Sequence, residues 1–161
     1  MLNGVTCKLV IIGRLLPSQI AALRENKIDY ENAHGVARNV LIEYYRSCDI
    51  VMLASLYEGF GLPILAAQAV GRPVITSNLF SMPEVGGEGA CYVDPYSVKD
   101  IRKAVRRIVS DNDYREQLID KGSNNVKSYN ISSVAMMYAE LYRRVFSQDK
   151  TVSAVANRVM M

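Results

Sequence analysis

Tryptophan is absent from this 161-residue chain, and histidine occurs once, as His34. A single histidine excludes a histidine-rich metal site. It also leaves any Ser-His-Asp or Cys-His relay resting on one residue without visible partners. Cysteine is scarce as well: Cys7, Cys48 and Cys91 are odd in number, far apart and set among apolar neighbours. That pattern predicts buried, reduced thiols in a cytoplasmic protein rather than a disulfide frame or a metal site. No apolar run reaches the roughly 18–20 residues of a membrane span; the longest clean stretch is Ile50–Tyr57. Met1–Leu16 has no basic segment leading to a small-residue cleavage site, which argues against a secretory leader. Charge is not blocked into one sign: 19 Lys and Arg against 16 Asp and Glu leave a net +3, spread over apparent helix faces. Solvated helix surface accounts for it better than a nucleic-acid footprint. Two phosphate-loop signatures are missing too. No G-x4-G-K-[ST] is present, which excludes a P-loop NTPase, and no G-x-G-x-x-G follows any strand, which excludes a dinucleotide-dependent oxidoreductase.

What is present is a globular composition, with half of the residues hydrophobic and 22% charged. The length suits one domain and leaves little room for two. Short apolar runs alternate with amphipathic stretches. Cys7–Ile12 reads as a buried strand ended by Gly13, and Pro17–Glu25 as a helix with proline in its first turn. Ile28–Asn32 is a weaker strand and Val40–Ser47 a helix. Ile50–Ala54 is apolar throughout, as in a parallel strand covered on both faces. A loop, Ser55–Pro63, then runs into a helix with Ile64–Val70 as its body and Gly71 at its C′ position. Pro73–Thr76 and Ala90–Val93 are further strands, and Ser81-Met-Pro-Glu84 has the spacing of a capping box. Val98–Val109, Tyr114–Tyr129 and Ser132–Phe146 read as amphipathic helices. The last carries an apolar stripe of Val134, Met137, Tyr138, Leu141, Tyr142 and Val145, best explained by packing on the domain. The expected organisation is a domain over 1–146 followed by a polar, weakly amphipathic tail over 147–161. Alternation of strand and helix predicts an α/β fold, a Rossmann-like parallel sheet flanked by helices. In such sheets ligands bind beyond the carboxyl ends of the strands, here the loops after Gly13, Asn32, Ala54 and Thr76.

The Glu58–Pro63 loop is the most informative of these. Opening a helix, it offers free backbone N–H groups at a positive dipole end. Gly59 and Gly61 remove Cβ obstruction, and Glu58 adds a carboxylate that accepts hydrogen bonds from hydroxyls. Amides for a phosphate beside a carboxylate for hydroxyls suit a sugar phosphate or nucleotide. Spacing alone leaves a tight turn with Glu58 in water equally open.

Four segments then occur in one order: Glu58-Gly-Phe-Gly-Leu-Pro63, Gly71-Arg-Pro-Val-Ile-Thr-Ser-Asn78, Met82-Pro-Glu-Val85 and Val93-Asp-Pro95. Together they resemble the C-terminal, donor-binding half of a GT-B retaining glycosyltransferase of family 4. Cys48-Asp49 and the helix beginning Asp113-Tyr-Arg extend the resemblance over about Leu9–Phe146. It implies sugar transfer from a UDP- or GDP-linked donor, as substrate and with no cofactor or metal, to a glycan or lipid-linked acceptor. Typical products are bacterial surface polysaccharides, made in the cytoplasm by full-length enzymes that sit at the membrane periphery. By the same resemblance Glu58 contacts the donor sugar hydroxyls and is the residue assigned to catalysis. Gly59, Phe60, Gly61 and Leu62 face the sugar and diphosphate, and Gly35 and Val36 border the nucleobase. His34 and Arg38 stay surface residues, and the capping-box spacing explains Glu84 without a ligand.

Two departures qualify the match. Eight positions after Glu58, where the family places a second Glu on the ribose, stands Ala66. Gln68 lies roughly 200° further round the helix and does not substitute. The second departure is length. The resemblance implies a partner N-terminal acceptor-binding domain, which this chain is too short to contain. It also aligns Leu9–Gly13 with the second strand, so the family's first, central strand would be lacking. In a 3-2-1-4-5-6 order this opens a gap of about 4.8 Å between strands 2 and 4. A second alignment, with Leu9–Gly13 as first strand and Arg14 on the diphosphate, leaves too few later strands. The implied outcome is a donor-binding module inactive by itself. Its last helix would expose an apolar stripe able to drive self-association.

Overall fold

A computed structural model describes residues 7–148. The N-terminal stretch read for a leader is thus seen from Cys7 onward. Of the expected tail, Ser147 and Gln148 close the last helix and the remainder lies outside the described residues. The elements run β1 (Leu9–Ile12), α1 (Pro17–Glu25), β2 (Tyr30–Ala33), α2 (Arg38–Ser47), β3 (Val51–Leu53), α3 (Leu62–Ala69), β4 (Val74–Ser77), α4 (Met82–Gly86), β5 (Ala90–Val93), α5 (Val98–Ser110), α6 (Asn112–Lys127) and α7 (Ile131–Gln148). A 3-10 turn, Gly87–Gly89, joins α4 to β5. The alternation and the parallel pairing are those the sequence predicts. No helix among the described residues is long and apolar enough to cross a membrane.

The strands form two sheets rather than one. β1 pairs with β2, and β3, β4 and β5 form a second parallel sheet in that order. The division falls between β1 and β3, the strands that the resemblance sets on either side of an absent central one.

β4 is buried along its whole length, and its alternating side chains feed two cores. Val74 joins Ile64, Ala67, Met82 and Val85 on the side of α3 and α4. Ile75 joins Val93, Ala104, Ile108 and Leu118 on the side of α5 and α6. This is the covered-on-both-faces pattern of a parallel strand. α3 ends as its glycine predicts: Gly71 takes φ +70°, its N–H donates to the Gln68 carbonyl, and Arg72 N–H donates to the Ala67 carbonyl. Asp111 caps α6 by accepting from Tyr114 N–H at 2.9 Å, and Ser97 caps α5 by accepting from Asp100 N–H at 3.2 Å.

Corrections to the sequence reading concern burial. β1 is not a buried strand: Leu9, Val10 and Ile12 are 45%, 37% and 43% exposed. β3 is only half covered, with Met52 exposed. The apolar runs mark residues that gain from burial, but an edge without a neighbouring strand leaves them in contact with solvent. α1 and α2 bury no residue either. The first sheet is held instead by polar links: Lys8 Nζ to Glu31 at 2.6 Å, Tyr44 OH to Glu31 at 2.7 Å, and Asn32 Nδ2 to the Ile11 and Gly13 carbonyls. Only Cys91 is a buried thiol; Cys7 is exposed and Cys48 intermediate, because both sit on the thinly packed N-terminal third. Burial still pushes the Cys48 thiol above its ordinary value. The α7 stripe is also exposed at Met137, Tyr138, Leu141, Tyr142 and Val145, which corrects the expectation that it packs on the domain.

Candidate functional site

β3 and β4 carry the Glu58 loop between them. After Leu53 the chain leaves the sheet, crosses Ser55–Phe60 and enters α3 at Gly61. Gly61 takes φ +96°, a left-handed conformation that favours glycine. A Cβ at Gly59 would meet no atom within 4 Å, so the backbone there is open to approach. α3 starts without a side-chain cap. Gly59, Phe60, Gly61 and Leu62 N–H find no acceptor among the described residues. Orphan donors at a helix N-terminus, next to a positive dipole end, form a surface suited to anions.

Serine and threonine side chains hold this loop from below. Thr76 Oγ1 donates to the Leu53 carbonyl at 3.0 Å, and Ser77 Oγ donates to the Ser55 carbonyl. Ser81 Oγ donates to the Glu58 carbonyl at 2.9 Å. Ser55 Oγ donates to Glu58 Oε1 at 2.9 Å, which fixes one carboxylate oxygen. The half-buried Glu58 carries no salt bridge among the described residues. Its remaining lone pairs accept further hydrogen bonds.

Ser81 is a correction as well. It precedes α4 in helical φ/ψ and makes no side-chain cap; its hydroxyl reaches the Glu58 backbone instead. The S-x-x-E spacing therefore marks a loop tie, not a capping box. No local signal reveals such a tie, since its partners are 23 residues apart.

Ala66 lies half-buried on α3, one turn beyond the loop. Gln68 points elsewhere: it is 2% exposed, donates to the Gly86 carbonyl and accepts from Asn125 Nδ2 at 2.9 Å. Gly35 (φ +63°, exposed) and half-buried Val36 follow β2 in the other sheet. No hydrogen bond among the described residues joins them to the Glu58 loop. The structure thus sets Glu58, Gly59, Phe60 and Leu62 around the buried Gly61 in one loop and helix start, whereas Gly35 and Val36 follow a strand of the other sheet. His34 and Arg38 are exposed.

The family described as Glycosyl transferases group 1 matches residues 3–125 of the sequence. The chain belongs to this family. The O-antigen chain mannosyltransferase B of Escherichia coli is 32% identical over 99 residues, 62% of this chain and 26% of that one. The C-terminal domain of a group 1 glycosyl transferase (LpcC) from Francisella tularensis superposes with a TM-score of 0.63 and 29% identity, over 76% of this chain and 69% of that one. Anabaena Alr3699/HepE, solved with UDP and glucose, superposes with a TM-score of 0.68 at 14% identity, over 83% of this chain and 39% of that one. This last likeness concerns the fold. The chain spans between 14% and 30% of the length of the curated relatives it matches. Its Rossmann-like parallel strands and flanking helices are those of a GT-B C-terminal domain.

Proposed function

We propose that this chain is the donor-binding part of a retaining glycosyltransferase that moves a sugar from a UDP- or GDP-linked donor to a glycan or lipid-linked acceptor. Surface polysaccharide is the favoured product, since relatives include an O-antigen mannosyltransferase. The observation that carries the reading is the pairing of Glu58, held by Ser55, with the unpaired amides of Gly59–Leu62 at the start of α3. The amides receive the diphosphate, and the free lone pairs of Glu58 accept from the sugar hydroxyls and orient the anomeric carbon. Retention in this family needs no protein nucleophile: the departing diphosphate assists attack on the same face. Gly35 and Val36 border the nucleobase. Positive charge for the diphosphate and the acceptor-binding domain come from a longer protein, so this chain alone forms no glycoside. Turnover of donor and acceptor by the isolated chain would overturn that part.

Ala66 favours a second reading, a degenerate module that binds nucleotide without catalysis or serves assembly. A missing charge-assisted hydrogen bond to the ribose costs about 1.5–3 kcal/mol, or roughly ten- to a hundredfold in affinity. Calorimetry with UDP, GDP and their hexose conjugates separates the two. Binding that falls at least about tenfold in Glu58→Gln and tightens in Ala66→Glu supports the donor site. Absence of binding by every nucleotide supports the assembly module.

A further inference from the structure

Phe80 stands in the β4–α4 loop at φ +52°, a left-handed backbone that a bulky aromatic residue rarely adopts. Such conformations cost folding energy and persist where surrounding structure or function requires them. Burial does not compensate here, for Phe80 is 67% exposed and its neighbour Tyr57 71% exposed. The two rings meet edge to face, centroids 5.1 Å apart and planes at 70°. They form a corner with ring surface open to solvent, beside the Glu58 loop. Tyr57 is the residue before Glu58, and Ser81, next to Phe80, donates to the Glu58 carbonyl. The loops of both rings leave the carboxyl ends of adjacent strands, where open α/β sheets bind ligands.

We propose that Tyr57 and Phe80 form a stacking ledge for a pyranose ring. A pyranose has an apolar C–H face and a rim of hydroxyls. The aromatic corner supplies the complementary apolar surface, and Glu58, the residue after Tyr57 in the same loop, supplies a hydrogen-bond acceptor for the hydroxyl rim. Ser55 satisfies only one oxygen of that carboxylate, so a purely apolar partner would leave the other desolvated without a donor, which disfavours an apolar protein face here. The ledge rests on the donor-site reading for its position. The sugar it receives is either the hexose of the donor or the terminal hexose of the acceptor, and the chemistry of recognition is the same.

Phe80→Asn removes the ring, and asparagine tolerates the left-handed backbone. Ligand-observed NMR and calorimetry on the 161-residue chain, with GDP-mannose, UDP-glucose, free GDP and UDP, and a mannose disaccharide, test the proposal. The variant is expected to keep or raise the melting temperature while losing about tenfold or more in affinity for a sugar-bearing ligand, with affinity for free nucleotide unchanged. Loss confined to the nucleotide-sugars assigns the ledge to the donor hexose; loss confined to the disaccharide assigns it to the acceptor. Phe80→Trp is expected to retain binding. Unchanged affinity for every sugar in Phe80→Asn overturns the ledge, as does the absence of any sugar binding by the parent chain. Failure of the donor reading looks different: nucleotide-sugars would then bind independently of Glu58, or the disaccharide would bind through Phe80 while no nucleotide-sugar binds.

Discussion

Glu31 shows how far single polar contacts substitute for a core. Lys8 and Tyr44 both donate to its carboxylate, and the Lys8 hydrogen bond, then that of Tyr44, hold it below the ordinary 4.5 of such a group. A lowered carboxyl stabilises above its unfolded value and loses that contribution as pH falls through its folded one. The link joins the start of β1 to β2 and α2, so its loss loosens the first sheet. Lys8 is exposed and Glu31 and Tyr44 only half-buried, so the ion pair is weak and screened by salt. Amide exchange in Leu9–Ile12 is therefore expected to accelerate as pH falls below about 4.5, after correction for intrinsic rates. The acceleration should shrink in high salt and in Glu31→Gln. Equal pH dependence in parent and variant would show that the clasp does not hold the strand. At this same scale the glycine-punctuated turn at Glu58–Gly61 that opens α3 was legible from sequence, since it is made of consecutive residues; its service as a donor site is the proposal. Phe80 was not, because nothing in the letters Asn-Leu-Phe-Ser states a backbone angle. Ser81 drew a local reading that its distant partner overrides.

α6 and the Gly87–Gly89 turn pack backbone against backbone. A Cβ on Gly89 would stand 2.3 Å from Gly122 Cα and 2.4 Å from Gly122 N, so backbone meets backbone. Asn125, on the same helix, donates to Gln68 Oε1 and the Val85 carbonyl, locking α3, α4 and α6 together. Gly89→Ala must push α6 away and break this network. Its expected cost exceeds about 3 kcal/mol, readable as a drop in the denaturation midpoint at constant slope. A change below about 0.5 kcal/mol would mean that the helix yields freely. The strands and helices themselves were legible because apolar periodicity marks them, with boundaries moved by a few residues. This clasp was not, since its partners are 57 residues apart in sequence. Ala66 and Gln68 were separable from sequence by helical geometry alone, and the burial of Gln68 supplies its occupation.

For the whole molecule, stability is uneven. The buried residues of both cores run from Ile64 onward, with Tyr45 of α2 and Ile50, Val51 and Leu53 packed partly buried against them, whereas β1, α1, β2 and α2 fully bury no residue. The sequence carries the apolar character of β1 plainly, but periodicity states a preference for burial and cannot supply the neighbour that achieves it. Local opening follows packing. Amides of β4 are expected to exchange only through global unfolding, and those of β1 and β2 through cheap local opening, orders of magnitude faster. Uniform protection would require a neighbouring strand or a second copy covering the first sheet.

The Glu58 loop is the centre of the proposed donor site. Its most direct measurement is the backbone amide spectrum of the labelled chain titrated with UDP- and GDP-hexoses. The expected result is saturable shifts concentrated at Gly59, Phe60, Gly61 and Leu62, abolished or at least about tenfold weaker in Glu58→Gln. Shifts centred elsewhere, or none with either nucleotide, would contradict it.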